Sequence, residues 1–180
     1  MNDAFIYCPR CGAPLAEGFA FGRARRLCRY CGFIAFRDPK VAVGGLISDG
    51  GRILLVRRGS SPGLGLWALP AGYMDNDEMP EGALLREMRE ETGLSVQPLR
   101  LEGIVPLAGW REMRGILLIY RCRLLAADHS PGSEQVPAAA DDVTEARWFT
   151  PGEVPWAEIA FESTADLVRK WAAELVGGAG

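Results

Sequence analysis

A chain of 180 residues, 48% hydrophobic and 24% charged, can bury one good core and carry a small appendage, so two unequal domains are expected. Twenty basic residues against twenty-three acidic ones, with no long block of one sign, exclude a nucleic-acid tail and a polybasic membrane anchor. The start carries Asp3 in place of a basic signal region, and the longest apolar runs, such as 116–120, fall far short of a bilayer, so a soluble, untargeted protein without a membrane partner is expected.

In chain order, the first signal is Cys8-x2-Cys11-x16-Cys28-x2-Cys31, with a glycine after each pair. This is the spacing of two knuckles facing one Zn²⁺, and four thiolates leave no open position for water, so the metal's role there is structural. Paired C-x-x-C motifs fit a reducing compartment, which places the protein in the cytoplasm; the fifth cysteine, Cys122, falls in a strand-like run and reads as a small buried hydrophobe. Arg10, Arg23, Arg25, Arg26 and Arg29 with Tyr30 have two readings, a nucleic-acid patch and a solvated ribbon surface or interdomain contact, of which the second is the simpler. Composition changes over 36–40, which divides the chain into a zinc ribbon at 1–38 and a larger domain at 39–180.

The larger domain opens with VAVGGLI, SDGG and RILLVRR, two apolar runs joined by an Asp-Gly turn, which predicts a β-hairpin. SSPGLG then reads as a loop, LWALPAG as a short strand, and 73–77 as a polar turn leading into a helix over 80–92. Pro80 suits that helix's first turn and Gly93 its left-handed end. Beyond it, GILLIYRCRLL and ARWF predict strands, 128–142 a long mobile loop, and 163–176 an amphipathic helix through Leu167, Val168, Trp171 and Leu175.

The helix over 80–92 carries the chemistry. Glu87, Glu90 and Glu91 stand at i, i+3 and i+4, on one face and with nothing basic among them, so the patch calls for a compensating cation. Carboxylate oxygens suit Mg²⁺ or Mn²⁺, which share such sites with substrate phosphates.

The stretch GYMDNDEMPEGALLREMREETGL matches the Nudix box, G-x5-E-x7-R-E-U-x-E-E-x-G-U, at Gly72, Glu78, Arg86, Glu87, Met88, Glu90, Glu91, Gly93 and Leu94. The resemblance implies an α/β/α sandwich around a mixed sheet, following the zinc ribbon. It also implies metal-dependent hydrolysis of a nucleoside diphosphate linked to another moiety. On that resemblance Glu87, Glu90, Glu91 and the Ala71 carbonyl hold the metal and Arg86 pairs with Glu78. The general base is a box glutamate or a distant acid, with Glu134 and Glu145 as candidates. L-P-A-G, C-G-F-I-A-F-R-D-P-K-V and I-A-F-E-S resemble short zinc-ribbon members similar to FAD and ADP-ribose pyrophosphatases. The second group with such a ribbon, the NADH pyrophosphatases that also remove NAD caps from RNA, carries a signature after the box of which SVQPLRLEGIVPLAGW shares only Q-P. Arg57 and Arg58 are candidates for the diphosphate and Trp67, Trp110 and Phe161 for stacking on adenine or flavin, against solvated charge and core packing as the alternatives. Many relatives dimerise, so a homodimer is implied. The intact box favours an enzyme over a nucleotide sensor or nucleic-acid-binding regulator of the same fold.

Overall fold

The computed structural model describes residues 5–108, 114–125 and 136–177, and the chain divides into two compact units, Met1–Asp38 and Pro39–Gly180. In the first unit β1 (Leu15–Ala20), β2 (Arg23–Cys28) and β3 (Ile34–Ala35) form an antiparallel sheet in that order. Two matching turns carry the cysteines: the Gly12 N–H donates to the Cys8 carbonyl at 2.9 Å and the Gly32 N–H to the Cys28 carbonyl at 3.1 Å. Both glycines have φ of 73°, a left-handed conformation that a side chain would strain. The buried core is Cys8, Leu15 and Cys28, with Ala13, Cys31, Phe33 and Ala35 packed on it. A core of that size does not hold a unit of about 40 residues unless a metal or disulfide adds to it, and no disulfide joins the cysteines.

The second unit is built on a seven-stranded mixed sheet. Its main path runs β10 (Val143–Phe149), β5 (Arg52–Arg58), β4 (Lys40–Asp49), β9 (Arg114–Leu124) and β8 (Val96–Ala108). Among the described strands only β4 and β9 run parallel, from Lys40 opposite Gly115 to Ile47 opposite Cys122. The β4–β5 hairpin turns at Gly50-Gly51, both at positive φ, and the two strands stay paired only at Ser48–Ile53 and Asp49–Arg52. Beyond that they part. β6 (Trp67–Ala68) pairs with β5 and β7 (Ala71–Tyr73) with β4, and the Gly45 N–H donates to the Pro70 carbonyl at 3.0 Å. The run LWALPAG, expected as one strand, is therefore two short ones. Pro70, which has no N–H for a ladder, lies between them. This wedge brings the backbone of Ala71 and Gly72 into the middle of the sheet.

Alternation along the strands sorts the core into two layers. Val43, Ile47, Leu54, Tyr120 and Cys122 pack with Ala83, Leu84 and Met88 of α1 (Pro80–Thr92). Leu46, Ile53, Leu55, Ile119 and Phe149 pack with Val168 and Trp171 of α2 (Glu162–Gly177). Sequence neighbours such as Leu46 and Ile47 go to different layers, so one helix covers each face and the expected α/β/α sandwich around a mixed sheet is present. Each fully buried Leu or Ile adds about 1.5–3 kcal/mol, which makes this the main source of stability. Leu175, expected on the buried stripe of the last helix, is 40% exposed. Among the described residues no helix is long and apolar enough to cross a membrane.

Strand β8 was not expected at all. Its sequence holds Pro98, Gly103 and Pro106, and its pairing with β9 shifts register between Pro98 and Arg100 and between Leu101 and Gly103. It is an edge strand, the one position where proline costs a sheet little.

Candidate active site

Helix α1 starts on Pro80 and stops at Gly93, whose φ is 69° and whose N–H returns to the Arg89 carbonyl. Its buried stripe is Ala83, Leu84, Glu87, Met88, Glu91 and Thr92. Ala83, Leu84 and Met88 enter the core, while Glu87 and Glu91, one turn apart, face β7. The Ala71 N–H donates to Glu91 Oε2 at 2.9 Å. At Gly72 an added Cβ would lie 2.1 Å from Glu87 Oε2, so only glycine allows the carboxylate to come that close to the strand.

Arg86 organises the other end of the cluster. Its Nε and Nη2 donate to the two oxygens of Glu78 at 2.7 and 2.8 Å, and Nη2 also reaches the Tyr73 carbonyl at 3.0 Å. The Asp75 N–H donates to Glu78 Oε2 at 3.1 Å. The polar turn after β7 is thus fastened to the helix. The two bonds from Arg86, with the Asp75 N–H behind them, hold the Glu78 carboxyl well below its usual range, at about 2. Arg86 Nη1 donates further to Glu87 Oε1 at 2.7 Å and Glu90 Oε2 at 2.9 Å. The acid face is therefore not free of basic groups, as its sequence reading had it: one guanidinium bridges two of the three acids. The acids also differ in depth. Glu87 and Glu91 are buried, whereas the Glu90 side chain is 48% exposed.

Burial pushes the Glu87 carboxyl up against the opposing pull of Arg86. Burial first, and the Asp142 carboxylate second, push Glu91 up to about 9. A divalent cation would relieve this repulsion, and the donor set is all oxygen, which fits Mg²⁺ or Mn²⁺.

Asp141 and Asp142 complete the cluster, and the sequence reading passed them over. Residues 136–142, expected as part of a mobile loop, are hydrogen-bonded: the Ala138 and Ala140 N–H groups donate to the Thr92 and Glu91 carbonyls at the end of α1, at 2.9 and 3.2 Å. The Gly59 N–H donates to the Asp142 carbonyl and the Ser60 hydroxyl to Asp142 Oδ2 at 3.1 Å. Only the adjacent acids in DDV could have pointed to them; tertiary bonds, not a local pattern, bring them to α1.

These groups meet at a cavity of about 520 Å³ whose lining includes Ala71, Gly72, Arg86, Glu87, Glu91, Asp141 and Asp142. Arg58 and Phe161 line it as well, with the guanidinium 5.3 Å from the ring centre and its Nε donating to the Pro62 carbonyl at 2.7 Å. Other candidates lie elsewhere. Trp67 is buried edge-on against Phe149, with ring centres 4.9 Å apart, and belongs to the core. Arg57 lies over Trp67 and within 3.4 Å of both Glu145 and Glu158. Glu145 thus answers a cation, away from the cavity. Trp110 and Glu134 lie outside the described residues.

In the smaller unit the sulfurs of Cys8, Cys11, Cys28 and Cys31 all lie within 4.8 Å of one another and could hold a metal ion. The pairs Cys8–Cys31 and Cys11–Cys28 are 3.6 and 3.5 Å apart. Four thiolates at zinc bond length around one ion would be spaced by about 3.8 Å, so the set fits.

Comparison with known proteins matches residues 38–171 to the NUDIX domain. An ADP-ribose pyrophosphatase of Methanocaldococcus jannaschii is 32% identical over 129 residues, 71% of this chain and 70% of that protein. The mitochondrial NAD(P)H pyrophosphatase NUDT13 of Homo sapiens is 31% identical over 153 residues, 85% of this chain but only 41% of that protein, so the chain spans less than half of this relative's length. The crystal structure of a NUDIX hydrolase from Nitrosomonas europaea superposes with a TM-score of 0.82 at 27% identity, covering 97% of this chain and 94% of that one. A box helix with its acids turned onto β7, inside a sandwich that superposes along nearly its whole length on a solved member, agrees with the domain match: the chain belongs to the NUDIX family.

Proposed function

We propose that the protein is a pyrophosphohydrolase that cleaves the diphosphate of a nucleoside diphosphate linked to another moiety, ADP-ribose or FAD, and releases AMP. The observation that carries this is the pair of buried carboxylates, Glu87 and Glu91, set against the Ala71–Gly72 backbone beside a cavity that Arg58 and Phe161 also line. Mg²⁺ or Mn²⁺ held by Glu87, Glu90, Glu91 and the Ala71 carbonyl would neutralise the diphosphate and make its phosphorus more electrophilic. Arg58 binds a phosphate oxygen, and Phe161 offers a face to the base. Water adds its oxygen to one phosphorus, its proton passes to Asp141 or Asp142, and the bridging phosphorus–oxygen bond breaks to leave two monophosphates. Arg86 sets the rotamers of Glu87 and Glu90 and does not touch substrate. The four cysteines hold a structural Zn²⁺. Paired C-x-x-C motifs that hold metal suit a reducing compartment and support a cytoplasmic location, and two copies associate as a homodimer, which light scattering would test.

Cleavage of NADH or of an NAD cap is the second reading. It draws on the NAD(P)H pyrophosphatase NUDT13, whose match covers more of this chain than that of the ADP-ribose pyrophosphatase, 85% against 71%. AMP release from ADP-ribose, FAD and NADH at matched concentration with Mg²⁺ or Mn²⁺ separates the two. Dominant release from ADP-ribose or FAD, lost in Glu91→Gln, is the expected result. Dominant NADH cleavage favours the second reading, and no release from any substrate overturns both in favour of a nucleotide sensor.

A further inference from the structure

The hairpin of the smaller unit has a tip that its own folding does not explain. Strands β1 and β2 are joined by two residues, Phe21 and Gly22, with φ of 50° and 72° and Ala20 paired with Arg23. Two positive φ values in a two-residue loop make a type I′ turn, whose first position favours asparagine, aspartate or glycine. A phenylalanine there is strained and, at 76% exposed, gains almost no burial in return. Its ring centre lies 6.0 Å from that of Phe36, itself 48% exposed. The Arg25 guanidinium lies 4.9 Å from the Phe36 ring centre, and its Nη1 donates to the carbonyls of Ala20 and Phe21, which fixes the turn to the strand beside it. Arg23 stands exposed on the same face of β2 as Arg25.

Charge points the same way. Six of the chain's twenty basic residues and three of its twenty-three acidic ones fall in residues 1–38, leaving fourteen against twenty in the remainder. The tip is five pairing steps from Cys28, about 17 Å at strand spacing, beyond a Debye length from any metal–thiolate charge. From these observations we infer that the Phe21–Phe36 pair, with Arg23 and Arg25, is a stacking platform for single-stranded nucleic acid. Unpaired bases offer flat apolar faces to the two rings, and the phosphates between them meet the two guanidinium groups. A duplex keeps its bases stacked inside and cannot use the rings. The inference is independent of the hydrolytic reading, since none of these residues belongs to the acid cluster.

The test is fluorescence anisotropy of the full zinc-loaded chain with labelled 12-nucleotide RNA and DNA strands of one mixed sequence, and with the corresponding duplex. Single strands should bind, more weakly as salt rises, and the duplex at least about tenfold more weakly. Phe21→Asn makes an Asn-Gly turn, which should leave the hairpin as stable or more so while lowering affinity about tenfold, so loss of binding cannot be put down to unfolding. Arg23→Ala should flatten the salt dependence by about 0.7 in logarithmic slope. AMP release from a free dinucleotide should be unchanged in both variants. Binding of RNA or DNA strands supports the platform, and a preference between them identifies its source. Equal affinity for duplex, unchanged affinity in Phe21→Asn, or retention on phosphatidylserine vesicles with no strand binding would overturn it.

Discussion

Replacing Glu91 by glutamine should make the metal-free protein more stable while removing its activity. Glu91 is 4% exposed, and its carboxyl is held up at about 9 against an ordinary 4.5. Below about pH 4.5 both folded and unfolded chains carry the proton, and the group contributes nothing. As pH rises toward 9 the unfolded chain releases the proton and the folded one retains it, so this group lowers stability across that window. At pH 7 the penalty approaches about 3 kcal/mol, of which local relaxation leaves about 1.5–3 kcal/mol. Glutamine keeps an acceptor for the Ala71 N–H and loses the charge. Without added divalent metal, Glu91→Gln should therefore melt about 3–10 °C higher than wild type at pH 7, with the difference nearly gone at pH 5. All five tryptophans lie beyond Lys40, so their fluorescence follows the larger unit. Saturating Mg²⁺ at about one hundred times its dissociation constant should stabilise wild type by about 2.7 kcal/mol and the variant much less, while AMP release by the variant falls by orders of magnitude. A variant less stable than wild type at pH 7, or equally stabilised by Mg²⁺, would refute the idea that Glu91 is a buried carboxyl that keeps its proton until a cation replaces it.

Gly72→Ala should drive the Glu87 carboxylate off β7, lowering turnover at least about a hundredfold and stability by about 1–3 kcal/mol, read from AMP release and thermal melting. Arg58→Ala should raise KM for ADP-ribose about tenfold with a smaller change in kcat, because a charge-assisted phosphate contact present in the ground state is lost. Stripping zinc should unfold the smaller unit, seen by loss of dispersed amide resonances from residues 5–38, and leave tryptophan fluorescence and AMP release in Mg²⁺ largely intact.

What the sequence made legible was local. Pro80, Gly93 and the periodic Ala83, Leu84 and Met88 mark α1 without help from the rest of the chain, and the cysteine spacing marks the knuckles. Arg58 and Phe161 came from type and position, and both line the cavity. What failed depended on distant partners. Trp67 looks available in a Gly-rich context, but Phe149, more than eighty positions later, encloses it. Glu145 looks like a loop-end acid until β10 pairs with β5 and sets it against Arg57. Asp141 and Asp142 go unseen because the groups that hold their backbone, Gly59 and the last carbonyls of α1, are far away in sequence. Strand β8 is hidden by its own edge position, which admits the prolines that local rules count against a strand.

The parallel pairing of β4 with β9 joins Lys40 to Gly115 across 75 positions. A ladder of that separation cannot form early, because the entropy of closing so long a loop must be met before the contacts repay it. The box helix, by contrast, is local and can form as soon as its own residues collapse. On refolding from denaturant, helical signal should therefore recover ahead of catalytic competence. The interval between the two measures how long the acids of α1 wait for the sheet that gives them their geometry.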